Sequence, residues 1–472
     1  MKLENNLEKD KIGTLVLRLA LPSMLAQFVS VLYSIVDRMY IGNIAEVGEL
    51  ALAGAGVCGP IVTLISSFAS LIGFGGSPLL SIRMGEKRED AARQILANCF
   101  MMMCVAGIIL TAAALLLKDR LLWWFGASEA TFPYADAYLS VYVSGSLFAL
   151  LSTGMNQFII TQGFAKVGMM SVVLGAVLNL VLDPIFMFVF GMGTAGAAFA
   201  TVLSQMASSA FVLWFLFSKR VPIPITFGGY SWKICKRVLA LGLSPFLIIA
   251  FDSILIISMN MALQHYGGAA QGDTMVACAT IVQSFMLMIT MPLGGITGGT
   301  QTILGYNYGA GQIRRVRQAE MQILKVCLIF TSVMFVAAQT ASGLFVNIFT
   351  RKEELKELAV WAIRVYTLGV IPLALQYTFV DGFTGMGIAK VAVSLSFFRK
   401  GLFFLFVFFL PMLFGVRAAF FTEPLTDVIA ACVTTAVFIK VSAPIYRKRL
   451  SVIKSRRHDY NDSKQMPEVG RD

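Results

Sequence analysis

Apolar runs, each about as long as a bilayer is thick, follow one another from one end of this chain to the other. A spanning helix needs about 20 predominantly apolar residues. Twelve such runs are read, at 12–37, 51–81, 95–117, 133–161, 167–190, 194–217, 237–263, 275–305, 320–346, 358–384, 391–414 and 418–445. None shows the period-two alternation of a porin strand. In lipid, a helix is the segment that satisfies its own backbone groups. The first run is too long for a signal peptide, and no small-residue cleavage site follows it. The pattern predicts an all-α polytopic membrane protein with twelve transmembrane helices.

The runs repeat. Shifted by 224 residues, Gly75 falls on Gly299, Gly85 on Gly309, Arg93 on Arg317 and Gln94 on Gln318. At the same shift Gly163, Ala165 and Lys166 fall on Gly387, Ala389 and Lys390, and Gly191 falls on Gly415. A shift of 223 brings Pro22 onto Pro245. The matches gather at equivalent helix ends. With six helices in each half, both halves enter the membrane from the same side, a parallel repeat about an axis along the membrane normal. The division expected is an N-terminal six-helix lobe at 1–217, a cytoplasmic linker at 218–236, a C-terminal six-helix lobe at 237–446 and a basic cytoplasmic tail at 447–472. Two pseudo-symmetric lobes around a central cavity suit alternating access.

Composition agrees with a bilayer as solvent. Apolar residues make up 57% of the chain and charged residues 14%, against roughly 25% charged in soluble domains. The mean hydropathy is +0.76. The net charge of +12 would suit nucleic acid if the bases formed one patch, but they follow the loops. On the side of the N-terminus lie Arg83, Lys87, Arg88, Arg93, Lys219, Arg220, Lys233, Lys236, Arg237, Arg314, Arg315 and Arg317, and then the tail from Arg447 to Arg457. The other side carries Arg38, Lys118, Arg120, Arg351, Lys352, Lys356 and Arg417. The positive-inside rule places both termini in the cytoplasm of a cell-membrane protein. The basic tail is expected against anionic lipid headgroups, and no nucleic-acid partner is expected.

Ionisable groups inside spanning helices are costly and mark function by default. Asn179 and Asp183 lie four apart on one face of the fifth run. An amide and a carboxylate there offer hard oxygen ligands for a small cation, or a carboxyl that holds a proton. Pro184 follows and removes a backbone donor; the competing reading has Asp183 capping a break or pairing with an arginine. Asp37 closes the first run beside Arg38, so an interfacial ion pair competes with a functional role. Pro22 predicts a kink in the first helix and a hinge. Thr201 and Gln205 lie four apart on the sixth run, and Gln205 reads as polar glue between helices. In the second half Asp252, Asp381, Glu423 and Asp427 face Arg399 and Lys400 in sign, which predicts a polar network paired within the lobe. The repeat carries Asn179 onto Phe403 and Asp183 onto Val407, so the acidic cluster belongs to the first lobe alone.

Other chemistries lack their residues. The seven cysteines form no CxxC pair, and there are only two histidines, His265 and His458, so neither a disulfide framework nor a zinc site is expected. There is no GxxxxGK[ST] phosphate loop and no DDxxD-like motif. No cofactor is expected, and an integral-membrane enzyme is the remotest reading.

The chain resembles the multidrug and toxic compound extrusion (MATE) transporters over residues 12–447. The resemblance rests on Leu19-Ala20-Leu21-Pro22, Tyr33-Ser34-Ile35-Val36-Asp37, Ile41-Gly42, Asn179 through Pro184, Gly193 through Ala198 with Thr201, and Gly305 through Gly311. The helix 5 pattern is similar to the DinF/MepA-like branch. That resemblance implies an N-lobe site for the coupling ion, H⁺ or Na⁺, at Asp37, Asn179, Asp183 and Thr201, with bending at Pro22. It implies a secondary-active exporter of drug-like, amphipathic, cationic compounds, working as a monomer among membrane lipids. A flippase for lipid-linked oligosaccharides, from the same superfamily, is the alternative. It would need an arginine-rich groove, of which Arg399 and Lys400 are the only hint. Asp252 lies eight residues before Asn260, the repeat partner of Asp37, and takes no role from the family.

Overall fold

A computed structural model describes residues 5–42, 44, 47–125, 127–349 and 352–465, with only backbone from 454 onward and at a few positions inside helices. Arg351 and the side chains of Lys454, Arg456 and Arg457 lie outside the described residues. In chain order the helices are α1 (Ile12–Gly42), α2 (Gly48–Gly85), α3 (Glu89–Trp124), α4 (Phe132–Ser144), α5 (Ser146–Leu150), α6 (Asn156–Thr161), α7 (Ala165–Pro184), α8 (Gly193–Phe217) and α9 (Trp232–Gly309). They continue as α10 (Ile313–Phe349), α11 (Glu353–Tyr366), α12 (Val370–Gly385), α13 (Ala389–Phe414) and α14 (Thr422–Gln465). Among the described residues ten helices of 25 to 38 residues are long and apolar enough to cross a membrane, and the bent pair α4 with α5–α6 makes an eleventh. The run expected at 237–263 is the first arm of α9.

Several boundaries differ from the expected runs, each for a local reason. The fourth run is not one rod: it bends by 62° between Ser144 and Ser146, and a π-helical turn at Leu151–Met155 follows. The seventh and eighth runs join into one 78-residue helical stretch, turned at Gly268, whose φ of 58° only glycine adopts readily. The tenth run is interrupted by a 3₁₀ turn at Thr367–Gly369. The last helix does not stop at 445 but carries on as helix through the basic tail. α1 continues to Gly42, so Asp37 lies inside it rather than closing it.

The repeat is visible in the backbone. α3 starts at Glu89 and α10 at Ile313; α7 starts at Ala165 and α13 at Ala389; α2 ends at Gly85 and α9 at Gly309. Each pair is separated by the same 224 residues. The matched glycines also do the same work: Gly163 and Gly387 have φ of 92° and 76°, and Gly191 and Gly415 of 67° and 83°, all in the left-handed region that ends helices.

Each lobe packs its own core. In the first lobe Ile65, Leu80, Leu96, Leu139, Phe158 and Leu216 form one cluster. The second lobe has two, around Leu293, Leu373 and Phe383 and around Met259, Ile289 and Phe420. α1 belongs to both lobes. Leu15, Val16, Leu19 and Ala20 pack in the second lobe's core, while Ile41, near its other end, packs in the first lobe's. Pro22 lies between these halves, and the helix is continuous through it. The outer surface is apolar, with Ile108, Leu116, Val189, Leu344 and Ile439 all more than 60% exposed. A soluble surface does not carry such a belt. Trp124 and Trp232, at helix ends, are also exposed, as interfacial anchors are.

The two lobes meet closely on the face where residues 5–10 and Arg449 lie. α2 of the first lobe lies against α9 of the second with glycine at the crossings. A Cβ on Gly75 would fall 2.2 Å from the Val238 carbonyl, and one on Gly242 would fall 1.7 Å from that of Leu71. Gly85 against Tyr306 and Gly309 against Ile82 repeat the arrangement one level further toward the termini, at 1.9 and 2.2 Å. Close backbone approach of this kind is how helices associate without a hydrophobic driving force between them. At the rim, Arg449 of α14 donates to Glu86 Oε1 at 2.7 Å and to the carbonyls of Tyr308 and Gly309 at 2.9 and 2.7 Å. Burial pushes the Glu86 carboxyl up, but hydrogen bonds from Arg449 and Arg83 outweigh it and hold it below the ordinary glutamate range. With its folded value depressed, Glu86 stabilises the closed rim above the ordinary glutamate pKa, and that contribution is lost as pH falls through the lowered value.

Candidate functional site

Three helices of the first lobe bring the polar residues together. On α7, Asn179 and Asp183 stand one turn apart on the inward face, 2% and 0% exposed. Asn179 Nδ2 donates to Asp183 Oδ1 at 3.0 Å and to Thr201 Oγ1 of α8 at 3.3 Å. The Thr201 hydroxyl is itself turned inward by donating to the Ala197 carbonyl at 3.0 Å. α1 supplies Asp37, whose carboxyl lies against that of Asp183. The four residues expected to hold the coupling ion are therefore one cluster. An amide donor and a hydroxyl fix the ligand geometry, and two carboxyls face each other.

The oxygens of this cluster are not all used. Asp37 Oδ1, Asn179 Oδ1 and Asp183 Oδ2 are buried and find no hydrogen-bond partner among the described residues. Buried polar atoms are paired in the great majority of cases. Three orphaned oxygens at one place suit a small hard cation or a proton, and two carboxylates side by side in a poorly solvated lobe repel each other unless one is neutralised.

The local backbone is adapted here. Pro184 directly follows Asp183, and α7 gives way to a π-helical turn at Ile185–Val189. Such turns are rare and occur often at functional sites. In α8, Gly196 allows contact with this turn, since a Cβ there would fall 2.8 Å from the Phe186 carbonyl carbon.

Aromatic hydroxyls complete the wall, and the sequence reading missed them. Tyr138 and Tyr142 of α4 stack at 6.1 Å with rings 9° apart. The Tyr142 hydroxyl reaches Gln205 of α8 and Ser66 of α2. Tyr33 and Tyr138 lie within electrostatic reach of Asp37. The signal was present: two tyrosines four apart in an apolar run share one face, as Asn179 and Asp183 do. Gln205, read as glue, does contact Tyr142, but its Oε1 is buried with no partner among the described residues.

The polar residues of the second lobe lie elsewhere. Arg399 Nη2 of α13 donates to Glu423 Oε1 at 2.6 Å, and its Nε donates to Asp427 Oδ1 at 2.9 Å, both on α14. Lys400 pairs with Asp252 of α9. Asp381 of α12 has no cation partner among the described residues and accepts from the Thr297 hydroxyl. A cavity of about 70 Å³ is lined by Gln376, Tyr377, Asp381, Ser396, Arg399 and Lys400. Arg399 and Lys400 are thus committed to carboxylates.

The comparisons agree with this architecture. The MatE family model matches residues 22–185 and 249–410, one stretch in each half. The multidrug export protein MepA of Staphylococcus aureus (strain MSSA476) is 22% identical over 94% of this chain and 96% of its own length. MepA of Staphylococcus haemolyticus (strain JCSC1435) is 21% identical over 95% and 97%. A solved structure described as the outward-facing conformation of a multidrug resistance MATE family transporter of the MOP superfamily superposes with a TM-score of 0.85 at 24% identity, covering 95% of this chain and 98% of that one. The two-lobed helical fold and a family match across both halves make this chain a member of the MATE family of membrane transporters.

Proposed function

We propose that this chain exports amphipathic, cationic organic compounds from the cytoplasm in exchange for H⁺ or Na⁺ moving inward. The observation that carries the reading is the facing pair Asp37 and Asp183, with three buried oxygens around it that lack partners. A proton or Na⁺ arriving from outside neutralises the pair and relaxes its repulsion, which favours a different packing of α1. Because α1 is shared between the two lobes' cores, a change at Asp37 is transmitted to the lobe–lobe contact. A coupling of about 1–3 kcal/mol between ion and drug is typical of such linkage. The relatives named as multidrug export proteins support a drug-like cargo.

Orientation and domain boundaries follow the loop charges: both termini in the cytoplasm, lobes at 1–217 and 237–446, and a linker at 218–236 between them. The transporter works as a monomer. The flippase alternative needed free basic groups for a diphosphate. Arg399 and Lys400 are ion-paired with Glu423, Asp427 and Asp252, which removes its only hint.

The test is dye efflux from proteoliposomes under Na⁺ and pH gradients imposed separately. Efflux driven by one or both gradients is expected. No response to either gradient, with protein that binds dye, would refute ion-coupled export.

A further inference from the structure

The stretch Gly305 to Gly311 takes no part in the carboxylate cluster, yet its polar side chains are occupied. Asn307, 0% exposed, donates to the backbone carbonyl of Leu7 at 3.3 Å and accepts from Arg315 Nε at 2.9 Å. Arg315 Nη2 then donates to the carbonyls of Leu7 and Asp10, at 3.2 and 2.9 Å. Tyr306 donates its hydroxyl to Glu8 Oε2 at 3.4 Å. These donors belong to α9 and α10 of the second lobe. Their acceptors belong to residues 5–10, six residues that lie just before α1.

The same six residues also hold the first lobe. Asn5 Nδ2 donates to the Gly163 carbonyl at 2.7 Å, and Glu8 pairs with Lys87 at 3.5 Å. Leu7, 5% exposed, is buried in the second lobe's core. Beneath the segment is a cavity of about 300 Å³ lined by Asn5, Leu7, Met84, Gln162, Ile223 and Tyr306. Its walls come from both lobes, the segment between them and the N-terminal residues, so it exists only while the lobes are together on this face.

We propose that residues 5–10 are a strap that fastens the two lobes on the terminal face and must release for the transporter to open there. Helix packing alone would close that face through the α2–α9 glycine crossings. The strap adds four hydrogen bonds on one side, and a hydrogen bond and an ion pair on the other, all made to one short peptide. Charge-assisted hydrogen bonds are the strong class. Arg315 is the centre of the strap's grip on the second lobe, because one guanidinium holds Asn307, Leu7 and Asp10 together. Lysine would keep the charge and lose the fork.

The test measures opening directly and does not depend on efflux, so its failure and that of the exporter reading are separate. Spin labels are placed at Asp90 and Lys390, exposed positions on the terminal face of the first and second lobes, with Cys104 and Cys432 replaced by Ser. In nanodiscs the labels should report mostly one short distance. Arg315→Ala should raise the population of longer distances at least about tenfold, since it removes two charge-assisted hydrogen bonds to the strap and one alone predicts that much, and Arg315→Lys should fall between. Deleting residues 2–8 should do at least as much, and it carries the test if Arg315→Ala fails to fold. Unchanged distances in a folded deletion variant would overturn the strap. So would an equal rise with Arg314→Ala, an exposed neighbour outside the contacts.

Discussion

Asp183 is the residue on which the ion-coupling reading turns. Its Oδ1 accepts from Asn179, and its Oδ2 is buried without a partner among the described residues. Asp183→Asn keeps an oxygen to accept from Asn179 and nearly keeps the volume. It removes the charge and the proton site. Folding should therefore survive, while gradient-driven efflux falls by about 5- to 150-fold, the range of a 1–3 kcal/mol coupling. Dye binding should persist, since the neutral side chain resembles the ion-bound form in charge. Asp37→Asn should behave alike, and the double variant should be no worse than either single one, because both act on one step. Efflux and dye binding on the purified variants decide it. Normal gradient-driven efflux in Asp183→Asn would remove the site from the first lobe and direct attention to Asp381, which makes no ion pair among the described residues.

Pro22 acquires a specific meaning at the scale of the helix. It lies between Leu19 and Ala20, packed in the second lobe's core, and the stretch that carries Asp37 toward the first, with Met24 just beyond it still packed on the second. A missing donor there weakens α1 at the junction between two cores. Pro22→Ala restores the donor and should stiffen the joint. Expression should be retained and transport reduced, with ion and dye binding near normal. Unchanged efflux would mean that α1 does not flex at this point. Helix positions were largely legible in the sequence, because apolar length is a one-dimensional property. The repeat even matched helix starts to the residue, as at Ala165 and Ala389. What escaped was whatever depends on direction. Hydropathy does not distinguish a straight helix from one bent at Gly145, or two runs from one turned at Gly268. Spacing found Asn179 and Asp183, which share a helix. It could not show that Tyr142 of α4 reaches Gln205 of α8, since that contact depends on how two helices are rotated. The strap was illegible for a related reason: six polar and mixed residues before a helix look like any loose terminus.

At the scale of the whole molecule, residues 5–10 and the part of the last helix near Arg449 lie on one face, where Leu7, Glu86, Tyr308, Arg315 and Arg449 meet. The orientation proposed above puts that face in the cytoplasm, the side that the basic loops favour by the positive-inside rule. Single cysteines at Lys390 and Glu129, exposed at opposite ends, test this with Cys432 replaced by Ser. In intact cells an impermeant maleimide should label position 129 and not 390 until the membrane is opened. Labelling of 390 alone would invert the orientation, and with it the direction of transport.

The pairing of Arg399 has a consequence for biosynthesis. Helices enter the bilayer in the order they are made, and an arginine at mid-helix costs about 2.5–3.5 kcal/mol to insert. When α13 emerges, the partner of Lys400, Asp252 on α9, is already in place. The partners of Arg399, Glu423 and Asp427, are on α14, which the ribosome has yet to translate. The second lobe therefore stays electrically unfinished until the final helix is threaded in. A nascent chain arrested before α14 would carry Arg399 without either of its carboxylate partners.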